Sequence, residues 1–216
     1  MFKKFLTLFK IGRKVAKSDI LNIISKFNEP PFSIKILFKI LSISLFSKKK
    51  VDKYKSEGER LSDSLASMGT TFIKLGQFLA TRPDIIGEEL SKKLENLQDK
   101  LPPFSLIEAK EIIKNDLGLD TYNSIINLSE PVAAASIAQV HKAQIDDNGT
   151  IKDVAIKILR PNIKKIFNEE IDAMMLFAFL TESFIKKTKR LKLVEVVFLL
   201  KEITNLEMDL RFEAAA

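Results

Sequence analysis

Residues 131–159 read PVAAASIAQVHKAQIDDNGTIKDVAIKIL, and this stretch decides the fold of the second half of the chain. The pattern here changes to a period of two, which predicts β-strands over residues 137–143 and 154–159. Between them, Asn148-Gly149 indicates a tight turn, because these residue types accept the positive φ angles of a two-residue hairpin loop. The stretch therefore predicts a β-hairpin.

The same stretch follows the spacing of the protein-kinase phosphate loop, G-x-G-x-x-G-x-V, with alanine in place of each glycine. Residues 154–157 then read V-A-I-K, the signature of the strand whose lysine contacts the α- and β-phosphates. Strand alternation places Lys157 on the face of Ala155. Each motif alone is weak, because an Ala-rich turn is more often simply close packing. Together and in this order they indicate a phosphate site.

The chain before the hairpin has the spacing of amphipathic helices. Apolar residues at intervals of three and four predict one helix over residues 61–80, with Lys74 and Gln77 on its polar face. Gly69 and Gly76 lie along one side of that helix, where each costs about 1 kcal/mol relative to alanine. We expect these glycines to allow close approach of another element. The apolar residues are Leu61, Leu65, Met68, Phe72, Leu75 and Leu79.

Two further helices are predicted over residues 87–99 and 105–117. The second begins at Ser105, and Glu108 follows three residues later, which is the pattern of a capping box. Gly118 fits the C-terminal end of this helix.

Residues 161–216 are predicted to be helical, with a break at a basic run near the middle. Asp209 and Glu213 are four residues apart and are expected to share one helix face. A kinase fold needs a helix carboxylate to hold the strand lysine, so the carboxylates here are candidates. The alternative is that they are solvated, with Glu207 paired to Arg211 on its own helix.

These motifs together resemble the UbiB/ADCK (aarF-domain) family of atypical protein-kinase-like proteins, over about residues 61–216. The match is specific because several family motifs occur together and in the family's order. They are K-x-G-Q at Lys74–Gln77, Leu97-Gln98-Asp99 with Pro102-Pro103, the Ala-rich Ala133–His141, the V-A-I-K lysine Lys157, and E-x-D at Glu207 and Asp209.

The resemblance implies an α+β fold: a helical N-terminal extension (the K-x-G-Q helices) followed by a protein-kinase-like N-lobe, truncated before the C-lobe. The predicted domains are residues 1–50, a basic amphipathic helical arm that lies outside the resemblance; 51–104, the K-x-G-Q helical extension; and 105–216, an incomplete kinase-like N-lobe. The catalytic-loop and metal-binding residues of a kinase follow the strand lysine in the C-lobe. We therefore expect the chain to be a fragment with no complete catalytic site, inactive alone.

The resemblance also implies roles for individual residues. Lys157 would contact the nucleotide phosphates and pair with the helix carboxylate of Glu213. Lys74 and Gln77 would project toward the site and occlude the place of a protein substrate, and Glu207 would pair with Lys74. The implied nucleotide residues are Ala133, Ala134, Ala135, Ser136 and Lys157, and the implied site-lining residues are Lys74, Gln77, Glu207, Asp209 and Glu213.

The family's cofactor is ATP or ADP with Mg²⁺. Its Ala-rich loop is associated with altered nucleotide selectivity and with ATPase-like activity rather than protein phosphorylation. Its members support the biosynthesis of ubiquinone and related isoprenoid lipids at membranes. The resemblance thus implies quinone-biosynthesis proteins as partners and a cytoplasmic location peripheral to the bacterial inner membrane, or the organellar equivalent.

Positive charge is concentrated in residues 1–50, which hold 12 Lys/Arg and two Asp/Glu, whereas the whole chain has a net charge of +7. Phenylalanines are interleaved with these lysines at helical spacing. One interpretation is an amphipathic arm that lies on an anionic membrane surface. The alternative is two ordinary helices that pack on the body. We expect no nucleic-acid binding, because phenylalanines with a helical period would be buried.

Composition excludes several classes of function. The chain has no Cys, so disulfide scaffolds, thiolate zinc sites, iron–sulfur clusters and Cys nucleophiles are excluded. We expect the single histidine, His141, to be a structural strand residue rather than a base. Two hypotheses remain: part of an ATP-binding, kinase-like protein of quinone biosynthesis, or a non-catalytic helical module that binds a membrane or a partner.

Overall fold

The computed structural model describes residues 2–17, 55–95, 97, 101–147, 149–184 and 186–215. These residues form two compact units. The first comprises residues 1–98 and 166–205, and the second comprises residues 99–165 and 206–216. Residues 166–205 therefore group with the N-terminal helices, whereas the sequence suggested a single continuous lobe from residue 105. Residues 18–50, which make up most of the predicted arm, lie outside the described residues.

The first unit is helical. Its N-terminal helices are α1 (Phe2–Lys17), α2 (Glu57–Met68), α3 (Thr70–Ala80), α4 (Pro83–Ile86) and α5 (Glu88–Leu94). A capping box starts α2: the Ser56 hydroxyl accepts from the Glu59 amide at 3.2 Å, and the Glu59 carboxylate accepts from the Ser56 amide at 2.7 Å. The bond from the Ser56 amide favours the charged carboxylate and lowers the pKa of Glu59.

The prediction of one helix over residues 61–80 is wrong, because Gly69 separates α2 from α3. Its backbone has φ 108° and ψ −177°, a conformation that is essentially restricted to glycine. The apolar spacing continues across the break, which is why the periodicity did not reveal it. Leu61, Leu65, Met68 and Phe72 are buried as expected, whereas Leu75 and Leu79 are half-buried.

The expected close approach is confirmed at Gly76 and is wrong at Gly69. A Cβ atom on Gly76 would lie 2.5 Å from Leu97 Cδ2 and 2.8 Å from Leu65 Cδ1, whereas one on Gly69 would meet nothing within 4 Å. The two glycines therefore have different functions: Gly76 makes room for buried leucines, and Gly69 supplies a backbone conformation.

Lys14 anchors α1 to the first unit. Its Nζ donates to the Met68 carbonyl at 2.8 Å and lies 3.5 Å from Glu170 Oε1. Ile11 is buried beside this anchor. Phe5 and Phe9 of α1 are about half exposed, so the expectation that the phenylalanines of the arm would be buried is wrong for these two.

The helical segment after the sheet has the predicted break. It consists of α7 (Ile163–Phe184), a 3₁₀ helix (Lys186–Leu191) and α8 (Leu193–Glu207). The Glu182 carboxylate accepts from the Val194 amide at 3.1 Å, and this bond satisfies one of the amide groups left open at the start of α8. The break at the basic run is thus confirmed.

The second unit contains α6 (Leu106–Asn123), β1 (Ile125–Ala134), β2 (Ala138–Asp147), β3 (Thr150–Leu159) and the short α9 (Leu210–Ala214). The strands form an antiparallel sheet in the order β1-β2-β3. The predicted capping box at Ser105 and Glu108 is present, and the backbone leaves helical geometry at Gly118, as expected.

The predicted hairpin is confirmed. Asp147 pairs with Thr150, so a two-residue loop joins β2 to β3, and Gly149 in that loop has φ 87°. The Gly149 amide donates to Asp146 Oδ1 at 2.6 Å. Ten consecutive residue pairs then follow without a register shift, from Asp147–Thr150 to Ala138–Leu159.

Strand β1 was not predicted from the sequence, because its alternation is irregular. Its pairing with β2 shifts register on both sides of Pro131. Proline lacks the amide that a central strand donates, so it is confined to edge strands and bulges, and β1 is an edge strand of this sheet. A bulged edge strand lacks the strict period of two from which strands are recognised.

The sheet packs one face on α6. Ala109 and Ile113 of α6 are buried with Ile158 of β3, and this cluster is the core of the second unit. Residues packed against it are Phe104, Ile112, Tyr122, Ile125, Leu128 and Ile156. The alternation of β3 therefore leaves Lys157 on the opposite face, as predicted.

We predict that Gly69→Ala lowers the free energy of unfolding by about 1–3 kcal/mol, because alanine is strained at this φ and ψ. The added methyl group meets no neighbour, so the loss would report backbone strain alone. Urea denaturation followed by circular dichroism measures it. Ser67→Ala, an exposed change in the preceding turn, is the control and is expected to shift stability by less than about 0.5 kcal/mol. Equal effects of the two substitutions would contradict the prediction.

Candidate nucleotide site

Three residues lie in one row across the sheet, on the face that does not pack on α6. We call this face the open face. Ala133 pairs with Val140, and Val140 pairs with Lys157. Directly opposite residues of an antiparallel sheet share a face, so all three side chains lie on the side away from α6. Ala133 and Lys157 are separated by two strand spacings, roughly 10 Å. The row therefore joins the Ala-rich segment to the strand lysine.

Lys157 forms an ion pair with Glu213 of α9. Lys157 Nζ lies 2.7 Å from Glu213 Oε1 and 2.5 Å from Oε2, so it contacts both carboxylate oxygens. The Glu213 side chain is 60% exposed and that of Lys157 is 34% exposed. Solvent screens such a pair, so its contribution to stability is small. The pairing expected from the family resemblance is present, and it holds the ammonium group in one place on the open face.

The Ala-rich segment forms a tight turn between β1 and β2. Ala133 and Ala134 are strand residues, and only residues 135–137 form the connection, so the loop is shorter than the sequence suggested. The Ala135 amide donates to the Ala138 carbonyl at 2.8 Å and closes the turn. Ser136 is fully buried at its tip.

Asp209 and Glu213 do not share a continuous helix face, so that prediction is wrong. Helix α8 ends at Glu207, and Asp209 is the N-cap of α9, where its side chain accepts from the Arg211 amide at 3.2 Å. Aspartate favours such capping positions over helix interiors, which explains the break.

Arg211 also holds the Asp209 carboxylate through its guanidinium group. Its Nε donates to Oδ1 at 2.8 Å and its Nη2 donates to Oδ2 at 2.5 Å. These bonds lower the pKa of Asp209 to about 2 and raise the pKa of Arg211. The alternative in which Arg211 pairs with Glu207 is not what the geometry shows, because the guanidinium fork binds Asp209.

Lys74 and Gln77 lie on α3 of the first unit, and both side chains are half-buried. The buried residues of α3 are Thr71, Phe72, Ile73 and Gly76, so the two polar residues lie off its packed face, as predicted. Glu207 is the last residue of α8 and is exposed. The expected pairing of Glu207 with Lys74 stays a prediction.

The face of the sheet toward α6 contains a buried polar network that was not predicted from the sequence. The Phe104 amide donates to Gln139 Oε1 at 2.9 Å, and Gln139 Nε2 donates back to the Phe104 carbonyl at 3.2 Å. Gln139 Nε2 also lies 2.9 Å from His141 Nε2. Gln139 and His141 are at most 1% exposed. Residues two apart on a strand share a face, and this spacing is the only sequence signal that could have paired them.

The network assigns the proton of His141. His141 Nδ1 lies 2.8 Å from the Ser129 carbonyl, which can only accept, so Nδ1 carries the hydrogen. His141 Nε2 then accepts from Gln139 in the neutral ring. Both ring nitrogens face protein groups inside the sheet, which confirms the expectation that His141 is structural.

Arg160 was also missed by the sequence reading. It follows β3 by one residue, and its guanidinium donates to the Ala135 carbonyl from Nε at 3.0 Å and from Nη2 at 2.8 Å. It therefore contacts the Ala-rich turn three residues after Lys157. A single arginine beyond a strand carries no periodic signal, so only the fold reveals this contact.

The arrangement fits a polyphosphate group better than a metal ion. An ammonium group held on an open face beside a turn of small residues can bind phosphate oxygens. Among the described residues, no group of three or more His, Asp or Glu side chains is arranged to hold a metal. The described residues therefore provide no set of ligands for Mg²⁺ by themselves.

The antiparallel sheet carries a V-A-I-K lysine that pairs with a glutamate on a following helix, and a short Ala-rich turn joins two of its strands. Together these features define a kinase-like N-lobe. Residues 96–216 match the model of the ABC1 atypical kinase-like domain. The chain belongs to this family of atypical kinase-like proteins, which confirms the resemblance found in the sequence. No solved structure matches the chain significantly.

Several curated relatives are described as probable protein kinase UbiB. One from Marinobacter nauticus is 38% identical over 189 residues, which is 87% of this chain and 33% of that protein. One from Shewanella baltica is 36% identical over 86% of this chain and 34% of the relative. One from Vibrio cholerae is 37% identical over 80% of this chain and 31% of the relative. The chain thus spans about a third of the length of the curated relatives it matches.

We predict that Gln139→Leu lowers the free energy of unfolding by about 1–3 kcal/mol, because leucine removes the hydrogen bonds of Gln139 to the Phe104 amide, the Phe104 carbonyl and His141 Nε2. Urea denaturation measures the loss. Gln144→Leu, on the same strand, removes only surface bonds to Asn127 and Asp153 and is the matched control. A Gln139→Leu protein as stable as this control would show that the network contributes nothing.

Proposed function

We propose that this chain provides the nucleotide-binding N-lobe of a UbiB-like, ATP-binding protein that supports ubiquinone biosynthesis at a membrane. Lys157 binds the nucleotide phosphates, with Ala133 and Ala134 at the end of β1 and Ala135 and Ser136 in the turn beside them. The ion pair between Lys157 and Glu213 on the open face of the sheet carries this proposal. The link to ubiquinone biosynthesis comes from the relatives, which are named UbiB.

The activity that we propose is ATPase-like and requires residues beyond those present here. In the kinase scheme, a catalytic-loop aspartate and asparagine and a metal-binding aspartate all follow the strand lysine. The relatives are more than twice as long as this chain, which leaves room for them. We accordingly expect the 216-residue chain to bind nucleotide without hydrolysing it.

Lys157→Met is expected to weaken nucleotide binding by about 10-fold or more, because it removes a charge-assisted contact to phosphate worth about 1.5–3 kcal/mol. Fluorescence titration with a mant-labelled ADP measures the Kd. It is run on this chain and on a chimera that continues with the C-terminal two thirds of the Marinobacter nauticus relative.

Lys152→Met is the matched control for this titration. Lys152 lies on the same strand, is exposed and pairs with Asp147 at the far end of the hairpin, so its loss should leave the Kd unchanged. Wild-type versions that bind no nucleotide, alone or in the chimera, would overturn the proposed function. ATP turnover by the 216-residue chain would overturn its proposed inactivity.

A second candidate function is membrane binding through residues 1–50, and α1 favours it. Phe5, Leu6 and Phe9 are 46–50% exposed along this helix, and Arg13 lies over the Phe9 ring at 5.8 Å. An exposed apolar stripe with adjacent cations fits the interface of an anionic bilayer. No helix among the described residues is long and apolar enough to cross a membrane.

The double substitution Phe5→Ser and Phe9→Ser is expected to lower the partition coefficient to vesicles containing 30 mol% anionic lipid by about 10-fold or more, since each exposed ring buries apolar area in the interface. Vesicle co-sedimentation measures it. Phe179→Ser, at a similarly exposed phenylalanine of α7, is the control. Unchanged partitioning of the double variant, or equal partitioning of wild type to neutral vesicles, would contradict this function.

A further inference from the structure

We propose that Arg160 is the positioning residue of the nucleotide site: it fixes the turn of residues 135–137 in the orientation that phosphate binding needs. This inference rests on the proposed nucleotide-binding function and adds a residue to it. Arg160 does not contact the nucleotide in this proposal and acts only through the turn.

The contacts of Arg160 reach both sides of the turn. Its two guanidinium bonds hold the Ala135 carbonyl, at the start of the turn. Its own backbone amide donates to the Ile137 carbonyl at 2.9 Å, at the end of the turn. Both carbonyl groups that flank Ser136 are thus directed toward Arg160, and the turn is held at both ends by one residue.

The other side of the guanidinium is fixed as well. Arg160 Nη1 donates to the Pro102 carbonyl at 2.9 Å, and Nη2 donates to the Leu101 carbonyl at 3.2 Å. The same segment is bound to the sheet two residues later, where the Phe104 backbone forms two hydrogen bonds with the Gln139 side chain. Arg160 therefore holds the turn against a backbone segment that is itself tied to the sheet.

Anchoring the Ala135 carbonyl sets the direction of an amide. The C=O and N–H of a trans peptide point in opposite directions, so the amide hydrogen of Ser136 points away from Arg160. Ser136 is itself fully buried, so its amide is held inside the turn and is not presented to a ligand. In this proposal, a turn that is free to rotate would shift the Ala-rich segment relative to Lys157.

The guanidinium group is needed for its shape as well as for its charge. It presents five donors in a planar fork, and here four N–H···O bonds reach three different carbonyl oxygens. A lysine ammonium in the same place is a single point and cannot span these acceptors. We therefore expect Arg160→Lys to behave like Arg160→Ala and not like wild type.

The test measures the Kd for mant-ADP on the chain and on the chimera described above, for wild type, Arg160→Ala and Arg160→Lys. We expect both variants to raise the Kd by about 10-fold, in line with the loss of one or two hydrogen bonds to a charged group. Methylguanidinium at 10 mM is expected to restore binding to Arg160→Ala and not to Lys157→Met. Arg190→Ala, at an exposed arginine, is the control.

Amide hydrogen exchange without nucleotide supplies an independent readout. Arg160→Ala should speed exchange at Ser136 and Ile137 while leaving α6 protected, because the change is confined to the turn. Wild-type Kd in either variant, unaltered exchange in the turn, or a loss of affinity matched by global unfolding in circular dichroism would each overturn the inference. If Arg160→Ala alters exchange in the turn but the wild-type protein binds no nucleotide, the proposed function is overturned and only the structural contact remains.

Discussion

The antiparallel register of β2 and β3 is the constraint on which the second unit depends. Because side chains alternate along a strand, a slip of one residue would turn Lys157 into the core and Ile158 out of it. The two-residue loop at Gly149 fixes this register at one end of the hairpin. At the other end, the Arg160 amide continues the ladder to the Ile137 carbonyl and ties it to the Ala-rich turn.

The two faces of the sheet therefore have different roles. One face is closed by α6, and its polar groups, Gln139 and His141, are satisfied by Phe104 and Ser129. A buried network of this kind is stable only when each member is paired, so it selects a single arrangement of the strands. The other face carries the Lys157–Glu213 pair, whose side chains are 34% and 60% exposed. Buried hydrogen bonds thus fix one face of the sheet, whereas the charged pair on the other face is accessible to solvent.

Much of this was predictable from the sequence, where local signals are strong. The hairpin, the face of Lys157, the capping box at Ser105 and the structural histidine follow from alternation, turn chemistry and hydrogen-bonding preference. The errors have a common physical cause. The break at Gly69 leaves the apolar period intact, the bulges at Pro131 disturb the period of β1, and the capping of α9 by Asp209 competes with a helix that spacing alone would continue.

The sequence by itself determined the family, the position of the strand lysine and the periodic elements, because these depend on residues near one another along the chain. The tertiary structure alone decided that Arg160 holds the Ala-rich turn, that Gln139 binds the backbone of Phe104, and that residues 166–205 join the N-terminal helices. Those contacts join residues separated by 25 to 35 positions or regroup whole helices. Such pairings are selected by packing and by the satisfaction of buried polar groups, which no local pattern records.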